Sequence, residues 1–269
     1  MRFLIIIYLF LYSNFGFSQI NVRVVSWNLK DFGRSKTNND IEMIAKIVNP
    51  YDILAIQEVV AGTGGPQAVA RLADALNRPG AKWEYVISDV TSGTSAHKNE
   101  RYAFLWKSAK AKLIGSPWLE AKYGLNIERE PFFGRFQIGK KIITLVSFHA
   151  ITKAQQPERE IKYFKFLPVS YPDDNLVFCG DFNLPQSHSV FIPLNKLGYI
   201  SALRKQKTSI RQKCINGDCL ASEYDNFFFD SSQIKLQSAG VIHFYKLYPD
   251  LKRARKVSDH IPIFVNYSL

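Results

Sequence analysis

The spacing of apolar residues divides the chain into recognisable pieces. Val22-Arg23-Val24-Val25-Ser26-Trp27 is apolar enough for a buried strand. Thr37-Asn38-Asn39-Asp40 places capping residues just before Ile41, Ile44, Ala45 and Val48, which share one helical face until Asn49-Pro50 stops it. Asp52-Ile53-Leu54-Ala55-Ile56 predicts a second strand, and Val69, Leu72, Ala73 and Leu76 a second amphipathic helix. Short strands follow from Trp83 to Ser88, Arg101 to Lys107, Pro131 to Ile138 and Lys141 to Phe148, with Gly139-Lys140 as a hairpin turn between the last two. Gln155 to Leu167 predicts a helix, Leu176 to Cys179 a buried strand, and Asn226 to Phe229 and Ile261 to Asn266 the last clear strands. Helices alternating with strands, then strand-rich stretches, predict an α+β fold of two packed sheets flanked by helices. No repeat or linker divides the chain, so one domain over residues 19–269 is expected.

The start of the chain has a different character. Met1-Arg2, an apolar run from Phe3 to Tyr12, and the small-residue site Gly16-Phe17-Ser18 read as a secretory signal over residues 1–18. The run is short for a transmembrane helix, so no membrane span is expected after its removal, and the product would be secreted or periplasmic. In an oxidising compartment Cys214 and Cys219, which bracket Ile-Asn-Gly-Asp, could close a small loop; Cys179, after Leu176-Val177-Phe178, is expected to be a small buried hydrophobe. Charge adds a hint about partners. The 35 Lys and Arg against 23 Asp and Glu give a formal +12, which favours polyanions such as nucleic acid or anionic membrane.

Candidate chemistry lies where polar residues interrupt apolar strands. Trp27-Asn28 and Gln57-Glu58 end the first two strands, and His149 ends Thr144-Leu145-Val146-Ser147-Phe148. Gly180-Asp181-Phe182-Asn183 follows Cys179, while Tyr224-Asp225-Asn226 and Ser258-Asp259-His260 open later strands. Taken singly these could be turn caps, solvated strand ends or a satisfied core histidine. Together they offer oxygen ligands that suit Mg²⁺ or Mn²⁺ better than zinc, because no thiolate and only two histidines belong to the set.

In these residues the chain resembles the endonuclease/exonuclease/phosphatase superfamily, most of all its deoxyribonuclease I branch. The matching segments are Ser26-Trp27-Asn28-Leu29, Asp52 to Val59, Glu100-Arg101-Tyr102-Ala103-Phe104-Leu105, Arg129-Glu130-Pro131, Ser147-Phe148-His149, Gly180-Asp181-Phe182-Asn183, Tyr224-Asp225 and Ser258-Asp259-His260. The resemblance implies a four-layered α/β/β/α sandwich and a monomeric, metal-dependent hydrolase with DNA as substrate and no stable protein partner. It implies that Glu58, with Asn28 and Asp259, holds Mg²⁺ or Mn²⁺, with Ca²⁺ a further candidate ion. His149 and His260 would flank the scissile phosphate, oriented by Glu100 and Asp225 respectively. Asp181 and Asn183 would position water or phosphate, and Arg129 would neutralise charge on the phosphate oxygens. Lys30 keeps a basic residue where the family has one, and Lys98 is expected at the substrate. Val60 and Lys98 stand where that branch presents an arginine and a tyrosine to the minor groove, and the branch's calcium loops have no counterpart here. Two other readings compete: a secreted phosphatase or phospholipase (sphingomyelinase-like or acting on phosphoinositides) using the same machinery, and a binding protein on an inactive scaffold.

Overall fold

The computed structural model describes residues 20–93 and 99–269. Along the chain come β1 (Asn21–Phe32), α1 (Asn38–Val48), β2 (Ile53–Val60), α2 (Gly64–Asn77), β3 (Trp83–Ile87) and β4 (Glu100–Lys107). Then follow β5 (Lys112–Leu119), β6 (Phe132–Ile138), β7 (Lys141–His149), α3 (Glu158–Ile161), α4 (Leu167–Ser170), β8 (Leu176–Asp181), α5 (Ile192–Asn195) and β9 (Tyr199–Ser201). The last elements are β10 (Ile210–Ile215), β11 (Asp218–Leu220), β12 (Asp225–Asp230), β13 (Lys235–Val241), α6 (Leu251–Val257) and β14 (Ile263–Ser268).

Two six-stranded sheets, ordered β13-β14-β1-β2-β4-β3 and β5-β6-β7-β8-β12-β9, pack face to face, and β10-β11 forms a separate hairpin. Alternation along the strands explains why β1 and β2 are apolar on both faces. Val24, Ile53 and Ala55 point inward to meet Phe136, Leu145, Val177 and Phe227 of the other sheet. Their neighbours Val25, Leu54 and Ile56 point outward under Ile44, Val48, Val69 and Leu72 of α1 and α2. On the far side Val146, Phe148, Phe178 and Phe228 are covered by Ile161, Leu167 and Leu194 of α3, α4 and α5. The result is the expected α/β/β/α sandwich. The capping signal at Thr37 also holds: its side chain accepts from Asp40 N, and the Asp40 side chain reciprocates.

One local expectation changes, and three elements lie where the spacing of apolar residues marks none. The segment from Gln155 to Leu167 is a series of single turns rather than one helix: a 3₁₀ turn at Lys153–Gln155, α3, another turn at Phe164–Phe166, then α4. Pro157 and Pro168 explain the breaks, since neither can donate to the carbonyl four residues back. β5 and β13 escape a periodicity reading because they are half-exposed edge strands, and β5 carries Gly115 and Pro117. The basic run Leu251-Lys252-Arg253-Ala254-Arg255-Lys256 is helical, started by Asp250, whose side chain accepts from Arg253 N. Cys214 and Cys219 form a disulfide across the β10-β11 hairpin, and Cys179 is a buried free thiol. The first 18 residues lie outside the described part, and among the described residues no helix is long and apolar enough to cross a membrane.

Candidate active site

Strand direction gathers the polar residues at one end of the sandwich. β1 runs parallel to β2, with Asn28 opposite Gln57, and β7 runs parallel to β8, with His149 opposite Asp181. β4 and β12 run the other way, so their first residues arrive at the same edge: Glu100 lies opposite Val60, and Asp225 opposite Asp181. Parallel strands end where antiparallel ones begin, which is how residues scattered from position 28 to 260 come together.

Local backbone devices then aim the side chains. Glu58 sits in a left-handed conformation (φ 61°) where the β2–β4 register slips between Ile56 and Val59. That conformation costs roughly 1–2 kcal/mol for a residue with a Cβ, and it turns the carboxylate out of the pleat into the cleft. Gly180 is required at its place: a Cβ there would lie 2.0 Å from the Phe148 carbonyl oxygen, so only glycine lets β8 approach β7 beside His149 and Asp181. Asn183 is also left-handed (φ 51°), a conformation that asparagine tolerates.

The centre contains two carboxylate–imidazole pairs facing one acid. His149 Nδ1 lies 2.9 Å from Glu100 Oε2, and His260 Nδ1 lies 2.7 Å from Asp225 Oδ2. Each Nε2 lies 3.6 Å from the same atom, Asp181 Oδ2. Burial and the Arg129 charge push the His149 pKa down, but Glu100 and Glu58 outweigh them and leave it raised. Burial likewise opposes a charged His260, yet Asp225 and Asp181 hold its pKa well above the ordinary histidine value. The Asp181 carboxyl is raised, first by burial, while the two imidazoles pull against that and Asp225 adds to it. Asp181 is further fixed by Asn183, whose backbone N donates to Oδ1 at 2.9 Å.

Asn28 links these pairs to Glu58. Its Nδ2 donates to Glu58 Oε1 at 2.8 Å and to Asp181 Oδ2 at 3.3 Å, while its Oδ1 accepts from Lys30 N. Glu58 Oε2 accepts from Asp31 N at 3.0 Å, and its Oε1 lies 3.8 Å from His149 Nε2. Each Glu58 oxygen thus keeps lone pairs, and the carboxylate is 24% exposed, open to the cleft. Asp259 lies on the other side, with Lys30 Nζ at 3.4 Å and Arg255 Nη2 at 3.2 Å. Burial would raise its pKa, but His260, Lys30 and Arg255 win and lower it. A cleft of about 580 Å³ opens beside His149, lined among others by Glu58, Val60, Asn99, Glu100, Arg129 and Gln155.

Eleven of the sequence-nominated residues are therefore at this edge; Lys98 lies outside the described residues. Arg129 lines the cleft, but its Nε donates to the His149 carbonyl at 2.9 Å, Nη1 to Glu100 at 3.3 Å and Nη2 to the Ala150 carbonyl. It thereby braces the His149–Glu100 pair as well as bordering the cleft. The basic α6 divides similarly: Arg253 is tied to Asp40 and Arg255 to Asp259 and the Ile210 carbonyl, leaving Lys252 and Lys256 exposed.

Tyr102 and Ser258 lie inside the matching motifs without showing their partners, and Thr208 and Lys36 lie outside every motif. Tyr102 OH accepts the His149 backbone N–H at 3.2 Å, and Thr208 Oγ1 accepts from Asp225 N at 3.0 Å. Ser258 Oγ donates to the Asn28 carbonyl and accepts from His260 N. Lys36 is a buried ammonium whose Nζ donates to the carbonyls of Lys30 (2.6 Å), Lys256 (2.9 Å) and Val257 (2.8 Å), tying the turn after Asn28 to the segment before Asp259. Burial lowers its pKa to about 8, against partial compensation by Asp31, Asp40 and Glu58. The unfolded chain holds that proton up to the model-peptide range near 10.5, so between about pH 8 and 10.5 it binds more protons than the fold. Stability from this group therefore rises with pH across that window. Relative to Lys36→Met, the wild type should gain up to about 3 kcal/mol between pH 7.5 and 10.5; denaturant unfolding at several pH values measures it, and parallel pH profiles would refute it.

Comparison with known proteins gives the family and the fold. Residues 25–260 match the Endonuclease/Exonuclease/phosphatase family. A deoxyribonuclease of Thioalkalivibrio sp. (strain K90mix) is 26% identical over 91% of this chain and 70% of its own. A deoxyribonuclease-1-like 1 protein of Sus scrofa is 27% identical over 91% and 81% respectively. Among solved structures, a mannosyl-6-phosphatase of Bacteroides thetaiotaomicron superposes with a TM-score of 0.67 at 16% identity, covering 92% of this chain and all (100%) of that one.

Proposed function

We propose that this chain, which belongs to the Endonuclease/Exonuclease/phosphatase family, is an exported divalent-metal-dependent endonuclease that hydrolyses DNA phosphodiester bonds and leaves 5′-phosphate ends. The observation that carries the reading is the pair of largely enclosed imidazoles, each backed by its own carboxylate and each 3.6 Å from Asp181 Oδ2. Such a pair can remove a proton from water on one side of a phosphate and return one to the leaving 3′-oxygen on the other. The backing carboxylates fix the tautomer, so that each Nε2 faces the reacting side.

The donor set fits a hard divalent cation: carboxylates and an amide, with no thiolate among them. Glu58, hydrogen-bonded to Asn28, is the best placed to hold it, and Asp259 would complete the ligand set. Asp181, Asp225 and His260 also bring ligand atoms within 4.8 Å of one another. Asp225 already accepts from His260 in that trio, which suits proton handling better than coordination. When bound, the metal would draw charge from a phosphate oxygen and stabilise the transition state. Asn28 and Asp31 orient the Glu58 carboxylate, while Asn183 and Asn28 hold the Asp181 carboxylate between the imidazoles.

DNA is favoured over a small phosphorylated substrate by the +12 charge and by the deoxyribonuclease relatives. Lys30, Lys252 and Lys256 would contact backbone phosphates, and Lys98 the substrate. Export rests on the signal read over residues 1–18. Incubation with supercoiled plasmid, RNA, sphingomyelin, inositol phosphates and sugar phosphates tests the assignment. Nicked plasmid carrying 5′-phosphates is expected; turnover confined to a phosphomonoester or lipid would overturn it.

A further inference from the structure

Gln57 belongs to the Gln57-Glu58 motif, yet the chemistry above gives it no task. Its side chain is fully buried between the sheets, in a layer that is mostly aliphatic and aromatic and also holds the buried thiol of Cys179. Gln57 Nε2 donates to Ser147 Oγ at 2.8 Å, from β2 of one sheet to β7 of the other. Ser26 on β1 completes the group, with its Oγ 3.2 Å from Gln57 Nε2 and 3.4 Å from Oε1. Ser147 is fully buried and Ser26 nearly so.

Position along the strands gives this trio its meaning. Ser26 precedes Asn28 by two residues, Gln57 directly precedes Glu58, and Ser147 precedes His149 by two. The trio is thus a polar rung immediately beneath the site. The site itself straddles the same gap: Glu58 and Asn28 come from one sheet, His149 and Asp181 from the other. Contacts such as Asn28 Nδ2 to Asp181 Oδ2 (3.3 Å) and Glu58 Oε1 to His149 Nε2 (3.8 Å) depend on how far apart the sheets stand. Apolar packing would fill the space under the site and avoid the desolvation of a carboxamide. It would not fix a distance, because dispersion contacts tolerate sliding that a 2.8 Å hydrogen bond does not.

We infer that Gln57, acting through Ser147, is a positioning residue: an inter-sheet strut that sets the separation and register of the two halves of the hydrolytic site. The inference rests on the proposed phosphodiester hydrolysis for its kinetic consequence, but not for its structural one. The strut touches neither substrate nor metal in this account, so its loss should appear in kcat rather than KM. Ser147→Ala breaks only the inter-sheet bond, whereas Gln57→Met also frees Ser26, so Gln57→Met should cost at least as much and the double variant no more than Gln57→Met.

The test compares Gln57→Met, Ser147→Ala, the double variant and the conservative Ser147→Thr, using plasmid nicking and amide hydrogen exchange on the intact protein. Gln57→Met and Ser147→Ala should each lower kcat by roughly 10- to 100-fold with KM little changed, the range typical of residues that orient site groups. Ser147→Thr, which keeps the hydroxyl, should restore most of the rate. The His149 amide bonds across the gap to Tyr102 OH, so its exchange should quicken by about tenfold in the two disruptive variants. If Gln57→Met does not fold, Ser147→Ala, which only removes a hydroxyl, carries the same comparison. A folded Gln57→Met or Ser147→Ala with wild-type kcat and unchanged exchange overturns the strut and leaves the nuclease reading standing. Faster exchange in a protein whose wild type cuts no DNA overturns the nuclease reading and leaves the strut.

Discussion

Replacing His260 by alanine is expected to lower kcat on plasmid DNA by about 10²- to 10⁴-fold, the range that a positioned proton-transfer group contributes. The geometry specifies how. His260 Nε2 faces Asp181 Oδ2, and its Nδ1 is held by Asp225 at 2.7 Å, so alanine removes the proton carrier and strands a buried acid. KM should change little, since the imidazole is assigned to proton transfer rather than to holding the backbone. His149→Ala should behave alike, because His149 meets the same atom from the other side. The double replacement should cost no more than a few-fold beyond the worse single one, as expected for groups that act as a unit. Asp225→Asn should lose less, about 10- to 100-fold, because the imidazole survives and only its orientation and charge support weaken. Single-turnover nicking with circular-dichroism controls for folding measures each. A folded His260→Ala or His149→Ala that retains near-normal kcat would remove the histidine pair from the mechanism.

The second large effect concerns Glu58. Glu58→Gln keeps the shape and can keep the Asn28 hydrogen bond, but it loses the acceptor for Asp31 N and removes the charge that would hold a divalent cation. A metal contributes several kcal/mol of transition-state stabilisation, so kcat should fall by about three orders of magnitude at ordinary Mg²⁺. Part of that loss should return as Mg²⁺ or Mn²⁺ is raised, because the defect lies in holding the ion. Asp259→Asn should be milder, since Lys30 and Arg255 already neutralise much of that carboxylate. Metal titration of rate in the two variants distinguishes them, and a Glu58→Gln enzyme with an unaltered metal requirement would contradict the assignment.

Much of this was readable before any coordinates. His149 and Asp181 do end their strands, as the stop of each apolar run predicts, because such residues are costly inside a sheet. β1 and β2, by contrast, run on past Asn28 and Glu58 to Phe32 and Val60, so there the polar residue marks a site inside the strand rather than its end. The two-sided apolar strands and the capped α1 gave the layers for the same reason. What could not be read was anything set by contact across the sandwich. Tyr102 and Gln57 sit inside apolar strands and show their partners only once the sheets are packed. Lys36 resembles any surface lysine, since nothing local distinguishes an ammonium that will be enclosed by three carbonyls. Arg129 stood in a motif, but its turn toward Glu100 and the His149 carbonyl depends on the strand beside it. Edge strands β5 and β13 bury too little to leave a period. Pro157 and Pro168 were visible, yet the apolar spacing from Gln155 to Leu167 looked continuous because successive turns still bury Ile161, Phe164 and Leu167 in one core.

One measurement bears most directly on the central claim, that this site hydrolyses DNA phosphodiesters with a divalent metal. Purified protein is incubated with supercoiled plasmid in Mg²⁺, with excess EDTA, and with Mg²⁺ restored, and the ends are tested for 5′-phosphate. Nicking in Mg²⁺, its loss in EDTA and its return on adding metal, with ligatable 5′-phosphate ends, is the predicted result. An intact plasmid under all three conditions, or nicking indifferent to EDTA, would contradict it.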